Sequence, residues 1–304
     1  MKPDYPLTPF LHSLTVRSVP NHYLSIGFDV AERMAVVDLI RRVITEGSSE
    51  PLLDGGRLVR LHDQTSGARV NVVVDHTGMV RSAKPSFRPT MPRRVRALVS
   101  GLLPDPANPD ADLVQLAPIE GAYPLPVELE DGTRAVAELP FGEAADFELV
   151  GFADSMECYA SEEAYRASGM PMGTRAVLPA GLIPLATAEG TARPRATALV
   201  TGAVLECVLV RNEAGGADFF HLVIETDGMT FDAVVAPDAV TGPVPEPGHL
   251  VTGSLWFVAR QPVAVSVGAR PTTASEAQLD TLQIVADPPS PSRQSRTRLF
   301  SRWC

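Results

Sequence analysis

The chain has few of the residues that form metal, disulfide or redox sites. Its three cysteines, Cys158, Cys207 and Cys304, are neither grouped in pairs nor spaced as CxxC. This pattern excludes a disulfide framework and a zinc knuckle. We therefore expect no bound metal and a reducing compartment, the cytoplasm.

Long apolar runs are also missing. No window reaches the ~18 uninterrupted apolar residues that a membrane-spanning helix needs. The first residues place Asp4 and two prolines before any apolar run, whereas a signal peptide has a basic start, a long apolar centre and a cleavage site. Both observations favour a cytoplasmic protein.

Positive charge is scarce. Lysine occurs only at Lys2 and Lys84, the net charge is −10 and the isoelectric point is near 5.1. Such a field repels phosphate backbones, so we expect no general nucleic-acid binding. Hydrophobic residues make up 45% and charged residues 20%, which indicates a folded chain.

The sequence motifs that usually identify an enzyme are absent. There is no GxSxG, GxxxxGK[ST], GxGxxG or HExxH, and no two of the six histidines have HxxxH or HxH spacing. We therefore predict no cofactor and no metal, and the balance is against an enzyme.

Residues 1–83 are predicted to form an α+β module. Asp29 and Glu32 have the spacing of a capping box, and apolar residues then recur with a helical period, which predicts an amphipathic helix over 30–46. Leu14–Val19 and Tyr23–Phe28 are predicted to form a strand pair. Arg57–His62 and Ala68–Val74 are predicted to form a hairpin.

The rest of the chain reads as short strands divided by proline- and glycine-rich segments. The predicted parts are a proline-rich basic linker at 84–94, a first β module at 95–168 that ends in a short helix, an apolar linker at 169–195, a second β module at 196–270, a terminal helix or strand at 271–287, and a disordered basic tail at 288–304.

The second β module resembles small barrels of the OB type, and the first does so more weakly. The resemblance is carried by five or so short strands and by the segment Pro247-Gly248-His249-Leu250-Val251-Thr252-Gly253. Ala97–Gly101 matches Ala198–Gly202, and Phe147–Phe152 lies against His249–Ser254 at nearly the same spacing of about a hundred residues. The fold class is thus α+β followed by two OB-like modules, for which a tandem repeat is one interpretation.

Two alternatives to a binding protein stay open. His62 and Asp63, with Asp75 and His76, flank the same predicted hairpin and would form an acid–base site if the fold gathered them. An OB-type module could instead bind single-stranded nucleic acid through exposed aromatics, for which the candidates are Phe219, Phe220, Phe231, Trp256 and Phe257. Other acidic positions, such as Glu128 and Glu130, are predicted to be solvated.

The C-terminal tail is the strongest candidate for contact with a partner. Its basic and aromatic residues oppose the acidic body, which suits a peptide that docks on a protein or touches an anionic membrane surface. The candidate contact residues are Arg296, Arg298, Leu299, Phe300, Arg302 and Trp303. The sequence therefore predicts a non-enzymatic, cytoplasmic binding or scaffold protein that acts in a protein complex.

Overall fold

The structure is a computed structural model. It describes residues 21–262 apart from 31, 53, 104–112, 122, 131–138, 184–185, 188–189 and 192–193. The predicted 271–287 element, the tail at 288–304 and the Leu14–Val19 strand lie outside the described residues.

Helix α1, Arg33–Glu46, follows from the apolar period of its sequence. Val36, Val37, Ile40 and Val43 are buried on one side of it. The helix starts three residues later than predicted, and the capping box does not form, because its N-cap residue Glu32 makes no side-chain capping bond.

A four-stranded antiparallel sheet carries α1. Its strands, in spatial order, are β1 (Ser48–Pro51), β2 (Arg57–His62), β3 (Ala68–Val74) and β4 (Val80–Phe87). The predicted hairpin is confirmed as β2 and β3. The prediction of a strand at Tyr23–Phe28 is wrong. Asn21–Ile26 form a 3-10 helix, with Tyr23 and Ile26 buried.

The remaining strands supply a second, ten-stranded sheet and a small hairpin. They are β5 (Arg94–Leu102), β6 (Leu113–Pro118), β7 (Leu125–Leu129), β8 (Ala144–Tyr159), β9 (Ala176–Leu178), β10 (Ala186–Thr187), β11 (Gly190–Thr191), β12 (Thr197–Arg211), β13 (Asp218–Thr226), β14 (Met229–Val235), β15 (Val240–Thr241) and β16 (Leu250–Arg260). The short helix α2 is Glu162–Ala167, and Ser161 caps it as its sequence predicts.

The second sheet contains two closed circuits of strands. In ring I, the antiparallel meander β5–β6–β7 continues to β16 by parallel pairing, and β16 returns to β5 through β8. In ring II, the meander β12–β13–β14 continues to β8 by parallel pairing, and β8 returns to β12 through β16. Strands β8 and β16 belong to both rings. Each ring therefore takes one strand from the region that the sequence assigned to the other module.

The shared strands are buried on both faces because alternate side chains point to opposite sides of a strand. Phe147 and Leu149 of β8, with Phe257 of β16, lie in the core of the rings. Val150 and Phe152 of β8 point the other way and join the core beneath α1 and the 3-10 helix. The N-terminal α+β part thus packs against the outer face of the rings.

Two segments predicted as linkers contain regular structure. Lys84 to Phe87 belong to β4, and the backbone N–H of Arg93 donates to Asp232 Oδ2 at 2.8 Å. In the 169–195 segment, β9 pairs with β12. Both segments are therefore attached to sheets over part of their length.

None of the helices in the described ranges has the length and apolar character needed to cross a membrane.

Candidate functional site

The four predicted acid–base residues are not gathered into one site. His62 pairs with Arg69 at one end of the β2–β3 hairpin, while Arg57 pairs with Val74 at the other end, next to Asp75. At ~3.3 Å per residue the two ends are about 17 Å apart. The enzyme alternative built on His62, Asp63, Asp75 and His76 therefore has no shared site.

Asp63 instead fixes a turn and a distant loop. Its carboxylate accepts from the backbone N–H of Thr65 at 3.0 Å, the Ser66 hydroxyl at 2.9 Å and the backbone N–H of Glu213 at 2.8 Å. Burial alone would raise the pKa of Asp63, but these hydrogen bonds together hold that pKa below its ordinary value. Its role is structural.

Asp75 closes the next turn of the same sheet. Oδ1 accepts from the Thr77 hydroxyl at 2.7 Å and from the backbone N–H groups of Thr77 and Met79 at 2.8 and 2.9 Å. The hydrogen bond from the Thr77 hydroxyl is the main cause of its lowered pKa. This is the usual use of Asp in a turn.

A cluster of charged side chains, here called the polar contact, lies between β3–β4 and the rings. Four of its residues lie on one face of β3 and β4, where Arg69 is opposite Ser86 and Asn71 is opposite Lys84. The rings contribute three acids and one base. The members are Arg69, Asn71, Lys84, Ser86, Glu128, Glu130, Glu148 and Arg260. Glu128 and Glu130, predicted to be solvated, are therefore in ion pairs, and their side chains are 15% and 6% exposed.

Glu130 is the centre of the polar contact. It accepts from the Ser86 hydroxyl and, at 3.4 Å, from Asn71 Nδ2, and it lies 3.7 Å from Arg260 Nη1. Arg260 also pairs with Glu148. Burial is the main reason that the pKa of Arg69 is lowered, and Glu130 opposes that shift.

The polar contact has acids and bases but no room for a substrate. The cleft between Ser86, Glu130, Glu148 and Arg260 has space for about one water molecule. Buried ion pairs of this kind fix how two surfaces fit together, and they contribute little net free energy of folding. We therefore assign the polar contact to positioning and not to chemistry.

A second polar pair joins the half-buried His221 and the buried Asp232 on the outer face of ring II. His221 Nε2 lies 2.8 Å from Asp232 Oδ1, and the imidazole packs 4.9 Å from the ring of Phe87. The other oxygen of Asp232 accepts from Arg93 N. The pair ties the segment after β4 to ring II, and none of these contacts brings in a nucleophile.

The aromatics proposed for nucleic-acid stacking are unavailable. Phe219, Phe220, Phe231 and Phe257 are buried. Trp256 stacks on His22 with ring centroids 4.7 Å apart, and its indole N–H donates to Glu128 Oε2 at 3.2 Å. Four of the five rings are therefore buried, and the half-buried Trp256 already stacks on His22, so they form no exposed aromatic row on which successive bases could stack.

The described thiols are not activated. Burial raises the pKa of Cys158 to about 11, although its sulfur is 3.6 Å from His249 Nδ1. Burial raises the pKa of Cys207 as well. Both groups stay protonated at neutral pH, which disfavours nucleophilic chemistry. Across the described ranges, no three His, Cys, Asp or Glu side chains are grouped to hold a metal ion.

An uncovered strand edge is the most distinctive surface feature. β12 pairs with β16 only through Thr197–Ala203, and from Glu206 to Arg211 its one partner among the described strands is β13. We call Glu206–Arg211 the open edge. Val208 and Leu209 at its centre are 54% and 56% exposed. An exposed apolar edge of this kind is a template for pairing with another strand.

The open edge is held rigidly at its far end. The buried Asn212 donates to the Ile26 carbonyl at 2.7 Å and accepts from Gly215 N at 2.8 Å. Arg42 Nη1 donates to the Ala214 carbonyl at 2.5 Å. With Asp63, these bonds fasten the β12–β13 turn to the N-terminal part, so the edge is preformed.

A second and roomier cleft lies beside β9. Pro118, Tyr123, Val177 and Met229 line it, and Arg175 at its rim pairs with Glu225 at 3.1 Å. Its lining contains no acid–base pair next to a nucleophile, so we assign no reaction to it.

No protein family, curated protein or solved structure matches the chain. The predicted contact residues of the tail, from Arg296 to Trp303, lie outside the described residues. Sequence reasoning missed the open edge, although a signal was present. From Val204 to Val210 only Glu206 is polar, a pattern typical of a strand buried on both faces.

Proposed function

We propose that this chain is a non-enzymatic, cytoplasmic binding or scaffold protein, and that the open edge is where it docks a partner protein. The observation that carries the proposal is the exposure of Val208 and Leu209 on a strand whose outer side has no described partner. A strand added there would satisfy the free backbone groups and cover both side chains. The fixed hairpin turn lowers the entropy lost on docking.

We also propose that rings I and II are OB-like and arose as a tandem repeat with exchanged strands. Each meander is followed in the chain by one more strand, β8 after β5–β6–β7 and β16 after β12–β13–β14. Strand β8 pairs antiparallel with β5 and parallel with β14. In the same way, β16 pairs antiparallel with β12 and parallel with β7. Ala97–Gly101 and Ala198–Gly202, the matching segments, lie on the first strands of the two meanders.

The OB comparison favours a protein partner over nucleic acid. OB modules bind nucleic acid on the face of their second and third strands. In ring II, this face is covered by Phe87, which packs on His221. In ring I, it is covered by Lys84 and Ser86, which contact Glu128 and Glu130. The N-terminal part therefore occupies both faces, and the acids on them would repel phosphates.

Site-specific photo-crosslinking in the native cell tests the proposed docking surface. A photoreactive residue at Val208 is expected to give a defined protein adduct, whereas the same residue at the highly exposed Met91 is the control. Adducts at neither Val208 nor Leu209, or equal adducts at Met91, would contradict docking at the open edge.

The tail is a second proposed contact. Deleting residues 288–304 should remove some partners from an affinity purification if Arg296, Arg298, Leu299, Phe300, Arg302 and Trp303 bind them. An unchanged set of partners would contradict a role for the tail and leave the open edge as the docking surface.

A further inference from the structure

We infer that the protein docked on the open edge is a second copy of this chain, joined by antiparallel pairing of the two β12 strands about Val208. The inference rests on the proposed docking function and names its partner. Two identical edges related by a two-fold axis meet in this way, and the contact is self-complementary.

Geometry limits the register. A two-fold axis between antiparallel strands keeps each side chain on its own face, so a residue faces itself or a residue an even number of positions away. With Val208 at the axis, Val208 faces Val208 of the second copy, and Cys207 faces Leu209. Apolar cross-strand pairs stabilise a sheet. The two exposed large apolar residues of the open edge, Val208 and Leu209, thereby lie at the centre of the interface.

Charge also fits a second copy. Glu206 pairs with Arg93, and Arg211 pairs with Asp218 at 3.2 Å, so both charges that flank the apolar centre are already matched within the chain. In the Val208 register Glu206 faces Val210 and not another acid. A strongly charged partner strand would gain no new ion pair here, whereas a neutral apolar edge is what a second copy presents.

The pairing closes the assembly. Each chain brings one open edge to the axis, and after pairing that edge is covered in both chains. Two-fold edge pairing therefore gives a dimer and not a growing fibre. It also explains how an acidic protein tolerates exposed Val208 and Leu209.

Light scattering of the full chain after size-exclusion chromatography tests the inference. We expect twice the 32.5 kDa of one chain, and we expect Val208→Lys and Leu209→Lys to raise the dimer dissociation constant at least about tenfold. Ile119→Lys, at a similarly exposed apolar position, is the matched control and should leave the dimer intact. Circular dichroism confirms that each variant folds.

A disulfide test fixes the register. Cysteine pairs form when their Cα atoms are about 4.4–6.8 Å apart, as residues facing across the axis are. Val208→Cys should therefore give a covalent dimer under mild oxidation, whereas Ile119→Cys and the parent should not.

The outcomes separate the inference from the function on which it rests. A parent that stays monomeric at about 100 µM, far above a useful cellular affinity, overturns the second copy. If Val208 then crosslinks a different protein, docking at the open edge still stands, and if it crosslinks none, both proposals fail. A dimer that survives Val208→Lys overturns the placement of the interface.

Discussion

The two halves of β12 both contain Leu and Val side chains, but their surroundings differ. Thr197–Ala203 has β16 on one side and β9 and β13 on the other, and Ala198, Val200 and Thr201 are buried. In the open edge, Val208 and Leu209 are more than half exposed. The comparison teaches that an apolar side chain on this strand, such as Val200 or Val208, is buried or exposed according to the strands beside it.

The largest effect is expected in the buried half. In Gly202→Val the new Cβ would lie 2.5 Å from Ile224 Cγ2 and 2.7 Å from the Glu225 carbonyl oxygen. Because a backbone atom cannot move aside cheaply, we expect a loss of about 3 kcal/mol or more in the free energy of unfolding. Urea denaturation measures it. Leu209→Val in the open edge is the control and should change little.

A smaller loss is expected where the open edge ends. Asn212→Ala leaves the Ile26 carbonyl and Gly215 N–H without their partner, which should cost about 2–3 kcal/mol and speed hydrogen exchange across the β12–β13 turn. Asn212→Asp keeps the acceptor and loses the donor, so it should fall between the parent and Asn212→Ala. If Asn212→Ala left hydrogen exchange in the β12–β13 turn unchanged, the Asn212 hydrogen bonds would not be what holds the open edge in place.

Asp63 holds the same turn through a carboxylate, so its effect depends on pH. Asp63→Asn should cost about 1–2 kcal/mol at pH 7, because the lowered pKa means that the folded state favours the charged form. That contribution is complete above the unfolded-state pKa of about 3.9 and is lost as the pH falls through the lower folded-state pKa. The free energies of unfolding of the parent and of Asp63→Asn should therefore become equal below about pH 4. Asp238→Asn, at an exposed position, is the control, and its free energy of unfolding should follow that of the parent at every pH.

The smallest effect on stability belongs to the centre of the open edge. Val208→Thr keeps the β-branched shape on an exposed position, so the free energy of unfolding of the monomer should change by less than about 0.5 kcal/mol. A loss as large as that of Gly202→Val would mean that the edge is covered, and would end the comparison between the two halves.

Local features of the fold were predictable from sequence. The turn at Asp227-Gly228 separates β13 from β14 as its residues indicate, and Ser161 caps α2. The start of α1 was misjudged because Glu32, and not Asp29, is the N-cap residue. Capping spacing is a local pattern that a neighbouring structure can override.

Long-range features were not predictable. The parallel pairs of β7 with β16 and of β8 with β14 join Glu128 to Val258 and Val150 to Asp232, far apart in the chain, and no local pattern encodes them. Glu128 and Glu130 alternate with buried Val127 and Leu129, which reads as a solvated face. Their partners Lys84 and Ser86 lie on a strand far earlier in the chain, so the polar contact could not be foreseen.

Because β8 and β16 belong to both rings, neither ring can close until the chain has been synthesised as far as β16. Ring I lacks its closing strand until β16 has emerged from the ribosome, and more than a hundred residues separate the end of β7 from the end of β16. At ~5–20 residues per second, the meander β5–β6–β7 waits on the order of 10 s with its outer edge bare. During that interval the bare edge is open to pairing with another strand, and both rings close only once β16 has been synthesised.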